Sequence, residues 1–414
     1  MKQFLAGAVF GLCGAAVLFP AAYAVSGETG KNLDLFVDAL ERVRANYVYP
    51  IDTGELVDKA LHGMLSALDP HSSYLDAKEY AAAQAASADY AGIGLELTME
   101  NGVPKIITPI EDGPAARAGI APGDYIVAID GTSTLQMPLD DVIRMMQGPL
   151  SSNVTLTIRR LAAGPRTLTF AMSRARIAAA RVTGARRGQI GYVRISSFNY
   201  NTDGELKNVM ADLKKQIGPG LKGYILDLRN DPGGLLDQAI AVSDEFLDEG
   251  DIVTVQGRDS ADIQRYSARP GDIADGKPIT VLLNRGSAAG SEIVAGALQD
   301  HHRATVLGMR SFGDGTIQTI IPLGNDRALR LTTAKIVLPS GKAIQTAGIT
   351  PDVVVAQDPE GIRTPDDDLI HPNEESLRGH FPGAPRTDAA APILYPDKPN
   401  PDFQLATALA RMTR

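Results

Sequence analysis

Hydrophobic positions along the chain change period several times. Leu33, Phe36, Val37, Leu40 and Val43 recur at three- and four-residue spacing, and Leu56, Ala60, Met64, Leu65 and Leu68 repeat the pattern. Both runs predict amphipathic helices within residues 31–90. Tyr49-Pro50-Ile51-Asp52 supplies the turn between them, and Pro70 is expected to break the second helix inside LDPHSSYL (68–75). Residues 91–173 then alternate short β-like runs (GIGLELTM, PKIITPI, DYIVAIDG, NVTLTIRR) with Pro-Gly and Asp-Gly turns, and one helix is predicted over 138–147. From 188 to 356 the runs QIGYVRIS, GYILDLR, ITVLLN and ATVLG alternate with helical stretches at 235–247 and about 288–300. That alternation predicts βα crossovers and a largely parallel core. Beyond 357 the chain is rich in Pro and Asp and reads as a surface tail, closed by an amphipathic helix over 403–412.

Composition narrows the function classes. The 414 residues carry a net charge of −9 and a pI near 5.3, so nucleic acid is not expected as a partner. Cys13 is the sole cysteine, which excludes an intramolecular disulfide, a thiolate metal cluster and a Cys nucleophile in the body of the chain. No metal site and no cofactor motif is found. After Met1-Lys2 comes a run of about 20 uncharged residues ending in Ala22-Tyr23-Ala24. It reads as a secretory leader cut after Ala24, or as a retained N-terminal anchor. Either way the body is expected to be exported, in a periplasmic or other extracytoplasmic space.

Three glycine-rich turns carry the candidate chemistry. Gly92-Ile93-Gly94-Leu95 precedes a strand, where the glycines mark either a bulge or turn or successive amides that form a nest for a carboxylate. GYILDLRNDPGGLL (223–236) and ITVLLNRGSAAGSEIVAGALQD (279–300) each run a strand through a glycine turn into a helix, with Ser287 the expected N-cap of the second helix. Two such turns side by side make an oxyanion-binding corner from unpaired amides and helix dipoles.

EDGPAARAGIAPGDYIVAIDG (111–131) resembles the PDZ signature. By that resemblance a peptide with a free C-terminus adds as a strand beside 94–99, its carboxylate on the amides of 93–95, with helix 138–147 as the other wall. Together with NYV (46–48), GMLSALDPHSSYLD (63–76), SFGDGTIQTIIPL (311–323), LTTAKIVLPSG (331–341) and GITPD (348–352), the chain resembles the carboxyl-terminal processing (tail-specific) proteases, exported serine peptidases with a PDZ domain. The resemblance implies an α/β (α+β) multidomain chain: leader or anchor 1–24, helical region 25–88, PDZ domain 89–175, a crotonase/Clp-protease-like peptidase core 176–356, and a tail with a terminal helix 357–414.

In that family a Ser nucleophile and a Lys base stand 25 residues apart, and a Gln four residues beyond the Lys orients it. Here Ala289 occupies the nucleophile position and Asp314 the base position, at the same separation, and Gln318 is retained. Gly233, Gly234 and Gly290 correspond to the oxyanion corner. A methyl group cannot attack a carbonyl, and a carboxylate opposes the negative charge that must develop there. Ser287 and Ser291 lie two positions either side of 289 and are expected to point away from it. Arg310 cannot act as a base. His301 and His302 lie roughly 18 Å further along the helix and are expected to face solvent. The expectation is a non-hydrolytic family member that captures protein C-termini or unfolded polypeptide as an adaptor or regulator. An active paralogue or a second copy of the chain is a possible partner. The alternative is an endopeptidase with a different catalytic set.

Overall fold

A computed structural model of the chain describes residues 27–85, 91–100, 102–110, 113–137, 139–161, 165–176, 182–259, 261–356, 373–377, 379–381, 383, 393–396, 400 and 402–413. The leader at 1–24 with Cys13, Tyr90, Glu111-Asp112 and the Pro/Asp-rich stretch 357–372 lie outside them.

Helix α1 (Gly27–Asn46) buries no residue, and Leu33, Phe36, Val37 and Val43 stay exposed on it. Helix α2 (Thr53–Ser66) ends four residues before Pro70, because 67–72 form a turn instead of continuing the helix. Asp69 organises that turn: its carboxylate accepts from the amides of His71 and Ser72 and from the Ser72 hydroxyl. The region read as helical to residue 90 therefore contains a strand, β1 (Ser73–Leu75), before helix α3 (Ala77–Ala85). Asp76 and Glu79 cap α3 reciprocally, each carboxylate accepting the other residue's amide at 2.8–2.9 Å.

The next module is a small β structure. Strands β2 (Ala91–Gly92), β3 (Leu95–Glu100) and β4 (Val103–Pro109) lead to helix α4 (Pro114–Ala118). Pro114 opens α4 and Gly119, at φ 85°, ends it. Strands β5 (Tyr125–Ile129) and β6 (Thr132–Ser133), helix α5 (Leu139–Met146), then β7 (Asn153–Arg160), β8 (Arg166–Ser173) and β9 (Ala175–Arg176) complete it. The sheet order is β3-β4-β5-β7-β8, with β6 on β5 and β2 on β9. Strand β8, which the sequence reading passed over, pairs with β7 along its whole length and has its alternate residues exposed. Ile93, Ile106, Ile126, Val142, Leu156 and Ile158 are the buried core.

The largest part follows. In chain order come β10 (Val182–Arg187), β11 (Ile190–Ile195), α6 (Thr202–Ile217), β12 (Gly223–Asp227), α7 (Leu236–Asp244), β13 (Asp251–Gln256), β14 (Ile263–Ser267), β15 (Ile279–Leu283), α8 (Gly290–Asp300), β16 (Ala304–Gly308), β17 (Thr316–Gly324), β18 (Arg327–Val337) and β19 (Val353–Val354), with the terminal helix α9 (Phe403–Met412). One sheet runs β10-β11-β12-β15-β16-β19, parallel except for β10. Its central strands β12 and β15 are buried along their whole length because both faces of the sheet are covered there. Tyr224, Leu226, Val281 and Val306 enter the core with residues of α6, α7 and α8, whereas Ile225, Leu282 and Leu307 pack under α9. Arg229 ties α9 down by pairing with both Asp227 and the α9 N-cap, Asp402. The Arg229 and Arg194 charges hold the buried Asp227 carboxyl below its usual range in spite of burial, the largest single influence on it.

A second, antiparallel sheet, β1-β18-β13-β14 with β17 on β18, was not anticipated. It joins β1 to β18 across more than 250 residues, Ser73 opposite Arg330.

Candidate functional site

Strand β3 is terminal in its sheet, and α5 packs against β3 and β5, leaving a groove between strand and helix. Gly92, Ile93 and Gly94 are buried at its head, with Leu95 half-buried. Gly94 adopts φ 73°, which a side chain would strain. The Ile93 carbonyl accepts from Ala115 of α4 and the Gly94 carbonyl from Ile110, just past β4, so the turn is tied both to α4 and to the end of β4.

The second site gathers at the start of α8. Ala289 is its N-cap, at φ 45° and ψ −105°. A non-glycine residue there stores strain and lifts its side chain out of the strand-to-helix bend. Ser287 is not the cap that the sequence suggested. Its hydroxyl donates to the Leu228 carbonyl, and the Ser291 hydroxyl donates to the Asp231 carbonyl. Both are fully buried and neither presents a nucleophile.

Glu292 does the capping. One carboxylate oxygen accepts from the amides of Ala289 (2.8 Å) and Asp314 (2.9 Å); the other accepts from the Ser311 hydroxyl (2.6 Å) and the Gly313 amide (2.7 Å). The position called nucleophile and the position called base therefore meet on a single oxygen. Burial pushes this carboxyl up to about 8, against donors that favour its anion.

Asp314 is half-buried, and its carboxylate accepts from the Thr316 amide and hydroxyl (3.3 and 3.2 Å). Gln318 reaches it indirectly, donating to the Thr316 hydroxyl at 2.8 Å. Burial raises the Asp314 carboxyl above its ordinary range; the His71 charge opposes the shift and Glu374 adds to it.

Gly233, Gly234 and Gly290 lie beside one another. A side chain on Gly233 would sit 2.6 Å from the Gly290 amide and 2.8 Å from the Ala289 methyl, and one on Gly234 would collide with the Phe198 carbonyl. One of these amides is not free, however. Gly233 donates to Asp231 at 2.8 Å within its own turn. The other Asp231 oxygen is buried and meets no hydrogen-bond partner among the described residues. Burial, only partly offset by the Gly233 amide, raises this carboxyl to about 8, so the neutral acid prevails at pH 7.

Sequence reasoning missed His71. Its Nε2 lies 3.0 Å from both oxygens of Glu374, a fully buried residue that also accepts from Gln345 Nε2 at 2.8 Å. Burial alone would lower the imidazole, but the hydrogen bond to Glu374 and the nearby Asp314 charge raise it to about 9. Glu374 was assigned to a surface tail; instead Glu374 and Leu377 are buried against the site, Leu377 on Ala288 and Phe312. His301 is half-buried with its ring nitrogen on the Asp251 carbonyl, and His302 is exposed.

A PDZ-type module and a parallel βα core with two glycine-rich strand-to-helix turns, in one α/β chain, make up the architecture of a carboxyl-terminal processing peptidase. A model of peptidase family S41 matches residues 189–355, a PDZ-domain model matches 105–160, and a model described as the activating protease CtpB N-terminal domain matches 20–79. The chain belongs to the S41 family of carboxy-terminal-processing proteases. It is 46% identical over 385 residues to the carboxy-terminal-processing protease of Bartonella bacilliformis, spanning 92% of this chain and 88% of that one. It is 35% identical to the chloroplastic C-terminal processing peptidase of Tetradesmus obliquus, over 76% of this chain and 71% of that one. Among solved structures, a photosystem II D1 C-terminal processing protease superposes with a TM-score of 0.65 at 31% identity, covering 84% of this chain and 98% of that one.

Proposed function

We propose that this chain is an exported family member that captures the C-terminal segments of other polypeptides and does not hydrolyse them. The observation that carries the reading is the pair Ala289 and Asp314, held on one Glu292 oxygen at the start of α8. A Ser–Lys mechanism needs a hydroxyl at the first and a neutral amine at the second. A methyl and a carboxylate supply neither, and Ser287 and Ser291 have their hydroxyls committed to backbone carbonyls. Capture rests on the groove between β3 and α5, where a carboxylate would meet the amides of 93–95 and a peptide would extend β3. The domain limits 25–88, 89–175 and 176–356 are part of this reading, as are an adaptor or regulatory role beside an active paralogue or a second copy. For localisation, no helix of the described residues is long and apolar enough to cross a membrane, and export rests on the leader at 1–24.

A second reading, an active serine-type endopeptidase with another catalytic set, is favoured by the relatives, which are named as processing proteases over nearly the whole chain. Incubation of the purified protein with unfolded casein separates the two. The capture reading expects binding without new fragments. Fragments that persist in a Ser287→Ala, Ser291→Ala protein, and disappear when a C-terminal peptide fills the groove, would establish the second reading instead.

A further inference from the structure

The stretch beyond 357 has the composition of a solvated tail, yet Asn373–Leu377 is buried against the site. Its contacts are specific. The Glu374 amide donates to the Phe312 carbonyl at 3.0 Å, two residues before Asp314. The Glu374 carboxylate, 0% exposed, is held by His71 and Gln345. Asn373 caps the turn by accepting the Ser376 amide. Leu377, 1% exposed, covers Ala288 and Phe312, which flank Ala289 and Asp314, and half-buried Ile107 of β4 packs against the same cluster.

Residues on either side of this segment return to neighbouring positions at the parallel sheet. Val355 pairs with Leu394, with bonds from Leu394 to Val354 and from Ala356 to Leu394. The excursion between them thus starts and ends at one point on the sheet. A five-residue contact such as Asn373–Leu377 opens locally at far less than the cost of global unfolding.

We propose that Asn373–Leu377 is a built-in occupant of the cleft, seated on Ala288 and Phe312 where a captured polypeptide would lie, and displaced when one enters. The proposal rests on the capture reading above for the identity of the competitor. A backbone hydrogen bond to Phe312, an apolar anchor and a neutralised carboxylate are the kinds of contact an extended polypeptide would offer. With the segment seated, the cleft is binding-competent for only a fraction of the time, and apparent affinity falls by that fraction.

The test uses the full chain, wild type and two variants, Leu377→Ala and the conservative Glu374→Gln. Two probes are titrated: a fluorescent synthetic peptide of residues 373–383 and unfolded casein. Leu377→Ala should bind both about tenfold more tightly than wild type, and Glu374→Gln should shift in the same direction by less. Melting temperatures show that each variant is folded, and Glu374→Gln carries the test should Leu377→Ala not fold. The 373–383 peptide binding all three proteins equally would overturn the proposal. Casein binding none of them while the peptide still discriminates would sink the capture reading and leave the seat for Asn373–Leu377 supported.

Discussion

The PDZ groove and the corner at the start of α8 are both built from glycine turns and backbone amides, yet they differ in what they hold ready. At the groove the Ile93 carbonyl is tied to α4 and the Gly94 carbonyl to Ile110 past β4, and β3 ends its sheet, so an extended peptide has an edge to join. At the corner the supporting frame is just as firm, with Glu292 accepting four hydrogen bonds, but the side chains at its two ends are a methyl and a carboxylate. Part of the amide supply is also spent, since Gly233 donates to Asp231. On the capture reading, scaffold and reacting groups are separable: Ala289 keeps a left-handed φ of 45° around a methyl that cannot act as a nucleophile.

The strongest way to break this contrast is to attack the frame. Glu292→Gln would turn an amide NH2 toward at least one backbone amide, which can only donate, whichever way the side chain is set. Leaving buried donors unpaired costs about 3 kcal/mol, read as a lower denaturant midpoint. An unchanged midpoint would mean that Glu292 does not hold the corner together. The groove is probed next, from the ligand side. Amidating the C-terminus of a bound peptide should weaken binding by about tenfold, as expected for loss of one charge-assisted interaction worth roughly 1.5 kcal/mol. Equal titration curves for the two forms would refute a carboxylate nest at 93–95.

The two buried acids of the corner offer a subtler comparison. Burial raises both carboxyls to about 8, but Glu292 accepts four hydrogen bonds, whereas one Asp231 oxygen has no partner among the described residues. Because the folded-state value of Asp231 is raised, the native protein keeps a proton that the unfolded chain releases. Stability attributable to this group is full below about pH 4 and declines until about pH 8. Asp231→Asn removes that slope, so its melting temperature should gain on wild type steadily from pH 5 to 8 and then run parallel. A constant difference across that range would contradict the assignment. The smallest effect is expected from Ala289→Gly. Relief of the strained φ should offset the entropy lost by the extra freedom, leaving a net change of no more than about 1 kcal/mol.

What the sequence made legible follows from the range of the interactions involved. Helices α1, α2 and α9 and the parallel strands announce themselves through local periodicity, and the glycine turns through residue types that tolerate few alternatives. The second sheet did not, because β1 and β18 become a pair only by meeting across the fold. His71 and Glu374 are 303 positions apart, and neither carries a local sign of the other. A Pro- and Asp-rich neighbourhood made the second of them look solvated. The misplaced cap has a similar cause. Ser287 has the right residue type, but its hydroxyl is claimed by Leu228 on the adjoining turn, and Glu292 caps the helix from within.

The central claim is that only two reacting groups are missing from an otherwise sound frame. It is tested most directly by casein turnover in wild type beside an Ala289→Ser, Asp314→Lys protein of matched melting behaviour. Wild type should give no fragments above the blank, and the double variant should cleave measurably. Cleavage by wild type, or a correctly folded double variant that remains inert, would contradict the account.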